Sequence, residues 1–227
     1  IIGGSSNQSL VNEIADCFGK KPANVLLGRF PEGEVQAHIR ENVRGKDVFI
    51  IQSTSNPPND HLMELLVLID AAKRASAQRI TAVLPFYGYA RQDRKDKPRV
   101  PITAKLVANL ITVAGAQRVL TMDLHAGQIQ GFFDGPVDHL TAAPVLENYI
   151  RQHAPDAPVI VSPDSGRIKV AERMAQHLHD CEADIAFIYK RRPKGQANVV
   201  EAKEVIGDVK GRLCVLTDDM IDTGGTI

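Results

Sequence analysis

Short runs rich in β-branched and aliphatic residues recur along the chain, and helical patterns separate most of them. This alternation constrains the fold more than any other feature. The runs are NVLLGRF, DVFIIQST, RITAVLPF, RVLTMDL, PVIVSPD, DIAFIY and RLCVLTDD. Strands with a helix between them pair in parallel, because the crossover returns the chain to the same end of the sheet before the next strand begins. Their unbroken apolar character fits strands covered on both faces. HLMELLVLIDAAKRA places Leu62, Leu65, Leu66, Ile69 and Ala72 on one helical face, with Pro57, Asn59 and Asp60 to start it. ITAKLVANLITVAG and GRIKVAERMAQHL repeat the pattern. EVQAHI, following FPEGE, alternates with period two and predicts an antiparallel excursion. The expected class is α/β, with doubly wound, mainly parallel sheets.

The stretch FFDGPVDHLTAAP mixes glycine, proline and aromatic residues, and the best boundary lies within it, between Asp138 and Ala143. Two domains of similar class are expected, 1–140 and 141–227, whereas the proline-rich QHAPDAP reads as a loop between a helix and the next strand. A chain of 227 residues can bury a proper core in either arrangement. Its 27 basic and 27 acidic side chains cancel, so net charge recruits neither nucleic acid nor an anionic membrane, and local clusters must do any anion binding. No apolar run approaches the roughly 20 residues of a membrane span, and no signal pattern opens the chain. Cys17, Cys181 and Cys214 are widely spaced with no CxxC pair, which argues against a disulfide framework or a zinc site. That usage points to a reducing compartment, the cytoplasm.

Open α/β sheets bind ligands at the carboxyl ends of their strands, which here carry FPEGE, PFYGYARQDRK, MDLHAGQ, SPDSGR, YKRRPKG and TDDMIDTGGT. The last is the densest. A glycine-rich turn entering a helix points backbone N–H groups at an anion, and Thr223 and Thr226 add hydroxyl donors around Gly224 and Gly225. The carboxylates of Asp218 and Asp219 just before it suit sugar hydroxyls or a divalent cation of hard oxygen preference. Arg91 and Gln92 follow an aromatic, glycine-containing turn, where forked guanidinium donors and an amide suit a polyphosphate or a nucleotide. A basic run of this kind, standing alone, is equally well a solvated face.

The terminal run resembles the ribose-phosphate binding loop shared by phosphoribosyltransferases and ribose-phosphate pyrophosphokinases. With RFPEGE, GYARQDRK, DLHAGQIQGFFD, IIQST, SPD and KRRP, the resemblance extends from end to end and is to the bacterial-type ribose-phosphate pyrophosphokinases. It implies two domains of phosphoribosyltransferase type, the first on the ATP side and the second, incomplete, on the ribose 5-phosphate side. It also implies transfer of the diphosphoryl group of ATP to the C1 hydroxyl of ribose 5-phosphate. By the same resemblance, Phe30, Glu32, Gly33 and Glu34 form an adenine-contacting loop that reaches a neighbouring subunit's site, and Arg91 and Gln92 contact ATP. His125 and Asp164 are matched to Mg2+-associated positions, and Lys190 and Arg192 to a catalytic loop, Arg192 also serving ribose 5-phosphate. Asp218 and Asp219 would take the ribose hydroxyls, and Asp222, Thr223, Gly224, Gly225 and Thr226 the 5-phosphate. A hexamer with a shared ATP site is implied as well.

Three features depart from the family's pattern. Arg167 stands in SPDSGR where a second glycine is common, which predicts a less permissive backbone there; Glu32 stands where Asp is common; and KRRPKGQAN is slightly extended. The family continues beyond Ile227 and has a lead-in before Ile1, so both ends are expected to be truncated. The alternatives are a phosphoribosyltransferase and a non-catalytic regulatory relative. RQDRK, DLHA and FPEGE weigh against the first, and Lys190 with Arg192 against the second.

Overall fold

The computed structural model describes residues 1–191 and 201–221, in two compact units, Ile1–Leu140 and Thr141–Ile227. The first unit runs β1 (Ile2–Gly3), α1 (Gln8–Cys17), β2 (Val25–Arg29), β3 (Val35–Ile39), β4 (Asp47–Ile51), α2 (Pro58–Arg74), β5 (Arg79–Leu84), α3 (Thr103–Ala114), β6 (Arg118–Met122) and β7 (Val137–Leu140). Five of these strands form a wholly parallel sheet in the order β1-β4-β5-β6-β7, while β2 and β3 pair antiparallel as a separate hairpin. The EVQAHI alternation is thus one arm of that hairpin.

Capping chemistry explains the helix ends. Asn7 accepts a hydrogen bond from the Leu10 amide at 3.0 Å at the start of α1. Pro58 opens α2, where a missing N–H costs nothing, and Asp60 in its first turn and Lys73 and Arg74 in its last complement the helix dipole. On α2 the fully buried residues include Leu65, Leu68, Ile69 and Ala72. Leu62 and Leu66 lie at the margin of the same cluster, as do Val25, Leu27, Ala37 and Ile39 of the hairpin. The buried stripe is therefore centred one step further round than the sequence spacing indicates, because α2 packs on the hairpin as well as on the sheet.

Alternate residues of the sheet serve opposite faces. Ile2, Ile50, Ala82 and Val119 join Leu65, Val107 and Ile111 in the main core under α2 and α3. On the other face α1 seats Val11 over Gly3, where an added Cβ would lie 2.7 Å from Val11 Cγ1. Ile14 of α1 and Phe18 just after it, with Phe49, Ile51, Val83 and Leu120, line a groove there.

The second unit runs α4 (Ala143–His153), β8 (Val159–Ser162), α5 (Ile168–His177), β9 (Asp184–Arg191), β10 (Glu201–Ile206) and β11 (Cys214–Leu216). Its sheet has the order β10-β9-β8-β11, parallel except for the β9–β10 pair. Ile150 of α4, Ala171, Met174 and Ala175 of α5 and Ile160 of β8 make one cluster, while Val159, Val161 and Ala186 make a smaller one. QHAPDAP is the α4–β8 loop.

Two strands lie outside the sequence-derived pattern. Val137–Leu140 closes the first sheet, within the stretch read as a boundary, and Glu201–Ile206 pairs with β9. RLCVLTDD also differs from its apolar appearance: Leu216 is 36% exposed, and among the described residues β11 is a sheet edge paired to β8 alone. Cys17, Cys181 and Cys214 are free thiols. Among the described residues no helix is long and apolar enough to cross a membrane.

Candidate active site

Because β5 and β6 are parallel neighbours, the loops after Leu84 and Met122 emerge at one edge of the first sheet. Tyr87 fixes the first loop: its ring is buried and its hydroxyl donates to the Ala104 carbonyl at 2.8 Å. Burial pushes the phenol pKa up, so the hydroxyl stays protonated and keeps its proton for the Ala104 carbonyl. At Gly88 the amide donates to Thr54 Oγ1 at 2.6 Å, and an added Cβ would sit 2.5 Å from the Thr54 carbonyl, so no side chain fits. Gln92 then ties the turn to α3. Its carbonyl accepts from the Ala104 amide at 3.1 Å, and its side-chain oxygen accepts from the Thr103 hydroxyl. Arg91 and Gln92 are exposed on this turn.

The second loop is held from below. The Leu124 amide donates to His139 Nε2 at 2.9 Å, and buried Ile129 anchors the turn Gly127–Phe132. Arg118 grips Asp138 with two hydrogen bonds of 2.5 and 2.8 Å, which hold the Asp138 carboxyl below the usual carboxylate range. His125 is exposed just beyond Leu124. Gln128 Nε2 donates to Asp93 at 2.6 Å and joins the two loops. The segments bearing Arg91, Gln92 and His125 are therefore one connected structure. Asp93 and Gln128 lie within the RQDRK and DLHAGQ strings, but their pairing is not visible in sequence, since it depends on which loops become neighbours.

The β2–β3 turn presents the FPEGE residues. The Phe30 amide donates to the Glu34 carbonyl and the Gly33 amide to the Phe30 carbonyl, both at 2.9 Å. Gly33 takes a φ of 91°, open to glycine and strained for other residues. Phe30 is 45% exposed, and Glu32 and Glu34 are exposed beside it. Arg29 braces the tip, donating to the Gly33 carbonyl at 2.9 Å and pairing with Asp60 at 3.3 Å.

In the second unit β8 and β11 are parallel neighbours, so SPDSGR and TDDM emerge side by side. The Gly166 amide donates to Asp164 Oδ1 at 2.8 Å, and Ser162 Oγ donates to the Asp164 carbonyl at 2.7 Å. Arg167 has a φ of −112°, so the position does not require glycine and the anticipated backbone difficulty is absent. Its guanidinium forms an ion pair with Asp219 and lies 3.9 Å from Asp218 Oδ1. These side chains are 20%, 4% and 12% exposed for Arg167, Asp219 and Asp218. The Asp219 amide donates to Asp218 Oδ1 at 2.8 Å. Burial, followed by the hydrogen bond with Asp219, pushes the Asp218 carboxyl up, against the opposing pull of Arg167. Lys190 lies in β9, opposite Ala202 of β10. Arg192, Asp222, Thr223, Gly224, Gly225 and Thr226 lie outside the described residues.

Among the described residues no group of three or more His, Cys, Asp or Glu side chains could hold a metal ion. The metal-matched residues are one imidazole, His125, and one carboxylate, Asp164, on separate units. Each unit thus offers a single donor at its matched position, too few for an all-protein metal cage.

Two mainly parallel sheets with cationic and acidic loops at their carboxyl ends define an α/β protein of the doubly wound class. Residues 1–115 match the N-terminal domain of ribose phosphate pyrophosphokinase, and residues 141–227 the phosphoribosyl transferase domain. The chain belongs to the ribose-phosphate pyrophosphokinase family. It is 57% identical over 230 residues to the ribose-phosphate pyrophosphokinase of Clostridium tetani, covering 100% of this chain and 70% of that protein. The corresponding protein of Chlorobaculum tepidum is 56% identical, with 100% of this chain and 69% of that one covered. The crystal structure of phosphoribosylpyrophosphate synthetase from Mycobacterium smegmatis superposes with a TM-score of 0.90 at 47% identity, over 99% of this chain and 72% of that one.

Proposed function

We propose that this chain is a ribose-phosphate pyrophosphokinase, which transfers the β,γ-diphosphoryl group of ATP to the C1 hydroxyl of ribose 5-phosphate and releases AMP. The observation that carries the reading is the presence, in one chain, of an Arg91–Gln92 turn tied to the His125 loop and an acidic Asp218–Asp219 loop beside SPDSGR. The first suits a polyphosphate, and the second a sugar. In this reading Arg91 and Gln92 hold ATP, and Phe30, Glu32, Gly33 and Glu34 contact adenine. Asp218 and Asp219 accept the ribose hydroxyls, while the 222–226 loop takes the 5-phosphate. Lys190 and Arg192 supply positive charge to the transferring group, the principal aid that phosphoryl-type transfer needs. Mg2+, associated with His125 and Asp164, would neutralise phosphate charge. The first unit is the ATP side and the second the ribose 5-phosphate side. The enzyme works in the cytoplasm as a hexamer with shared ATP sites. A coupled assay of AMP release from ATP should show turnover only when ribose 5-phosphate and Mg2+ are both present. Release of AMP without ribose 5-phosphate, or transfer from ATP to no acceptor at all, would contradict the reading.

A further inference from the structure

Asp218 and Asp219 pose a choice that their residue type leaves open. Adjacent carboxylates suit a divalent cation as well as a sugar diol. Both are largely buried, Asp219 almost completely, and two buried like charges are costly unless a counter-charge accompanies them. Arg167 is that counter-charge. It reaches them because β8 and β11 run side by side, which brings the residue before α5 to a pair 51 positions further on. A guanidinium keeps its charge under all ordinary conditions, and here Arg167 Nη2, buried without a hydrogen-bond partner, holds Asp219 by charge as an ion pair. The engagement is unequal: Asp219 is paired directly, whereas Asp218 lies 3.9 Å away and is the more exposed of the two. A dication ligated by the same carboxylates would have to sit against this fixed positive charge, at a separation where repulsion is strong in a partly desolvated site. A neutral diol meets no such penalty, and it needs acceptors whose positions are already set.

We propose that Arg167 is a positioning and specificity-determining residue, which orients the Asp218–Asp219 pair to accept the vicinal hydroxyls of a pentose phosphate and keeps a divalent cation from ligating the pair directly. This rests on the ribose 5-phosphate reading above.

Three purified proteins test it, each prepared at full length: the unaltered protein, Arg167→Met and Arg167→Lys. Ribose 5-phosphate binding is followed by calorimetry, Mn2+ binding by electron paramagnetic resonance, and folding by circular dichroism. Arg167→Met should weaken ribose 5-phosphate binding at least tenfold, shift ATP affinity less than twofold, and gain one Mn2+ site. Arg167→Lys, which keeps the charge, should recover ribose 5-phosphate binding to within about threefold and show no extra Mn2+ site. If the methionine variant does not fold, Arg167→Gln takes its place, with the same outcomes expected. Unchanged ribose 5-phosphate affinity without Arg167 would overturn the positioning role, and an unchanged Mn2+ count would overturn the exclusion of the cation. An unaltered chain that binds no ribose 5-phosphate would instead overturn the substrate reading, and the Mn2+ count would still judge the exclusion.

Discussion

Gly33 has open space around the position a Cβ would occupy, so the only obstacle to a side chain there is its φ of 91°. Gly33→Ala should therefore cost about 1 kcal/mol through the backbone alone. The hairpin tip would pay that cost by shifting Phe30, and ATP affinity should fall while ribose 5-phosphate affinity stays constant, as calorimetry with each ligand would record. Lys190 acts differently if its charge meets the transferring group. An interaction that strengthens in the transition state governs turnover rather than binding. Lys190→Ala should lower kcat by about 100-fold or more, with the Kd for ATP changed severalfold at most. Near-normal steady-state turnover would remove Lys190 from the mechanism. Arg167 marks the limit of what such residues reveal in sequence. Its departure from glycine is visible there, but the partners of its guanidinium are not, because they depend on which strands become neighbours.

The elements of the first unit are joined at the ends of β1 and β4 by a buried polar knot. Glu64 of α2 accepts from the Ser5 amide at 2.6 Å, Ser5 Oγ at 2.8 Å and Gln52 Nε2 at 2.6 Å. Gln52 is fully buried and accepts in turn from the Ser6 amide at 3.1 Å. Gly4 is required beside it, since an added Cβ would lie 2.3 Å from Gln52 Oε1. Glu64→Ala leaves three donors without their acceptor, and at the usual penalty for stranded buried groups it should destabilise the unit by about 3 kcal/mol. Glu64→Gln keeps one acceptor oxygen and should cost less, a ranking that urea unfolding would test. Long apolar elements such as α2 and β5 are legible because the helical and strand periods leave direct traces. β7 and β10 are not. Val137–Leu140 carries Asp138 and His139, whose polarity is used by Arg118 and the Leu124 amide. Among the described residues Glu201–Ile206 is an edge strand, and its three charged residues make it read as a loop in sequence.

At the scale of the molecule, the chain joins two α/β units, and each presents its polar loops at the carboxyl edge of its own sheet. The FPEGE tip stands apart from these loops in one respect: it belongs to the separate hairpin, and Phe30 is 45% exposed there. An aromatic side chain held outward on a braced turn gains nothing within its own unit, but it could stack on a purine bound by another copy. Phe30→Ala should then weaken ATP binding by about tenfold, roughly 1.4 kcal/mol, with little effect on ribose 5-phosphate. A shared site makes a stronger demand. In a mixed oligomer of Phe30→Ala and Lys190→Ala chains, some sites receive the intact tip from one chain and the intact lysine from the other. Activity should therefore return on mixing to a fraction set by the odds of assembling such a site, although each variant alone is impaired. Subunit exchange can be proved independently by mass spectrometry of differently labelled chains. Proven exchange with no recovery would mean that each copy completes its own adenine pocket.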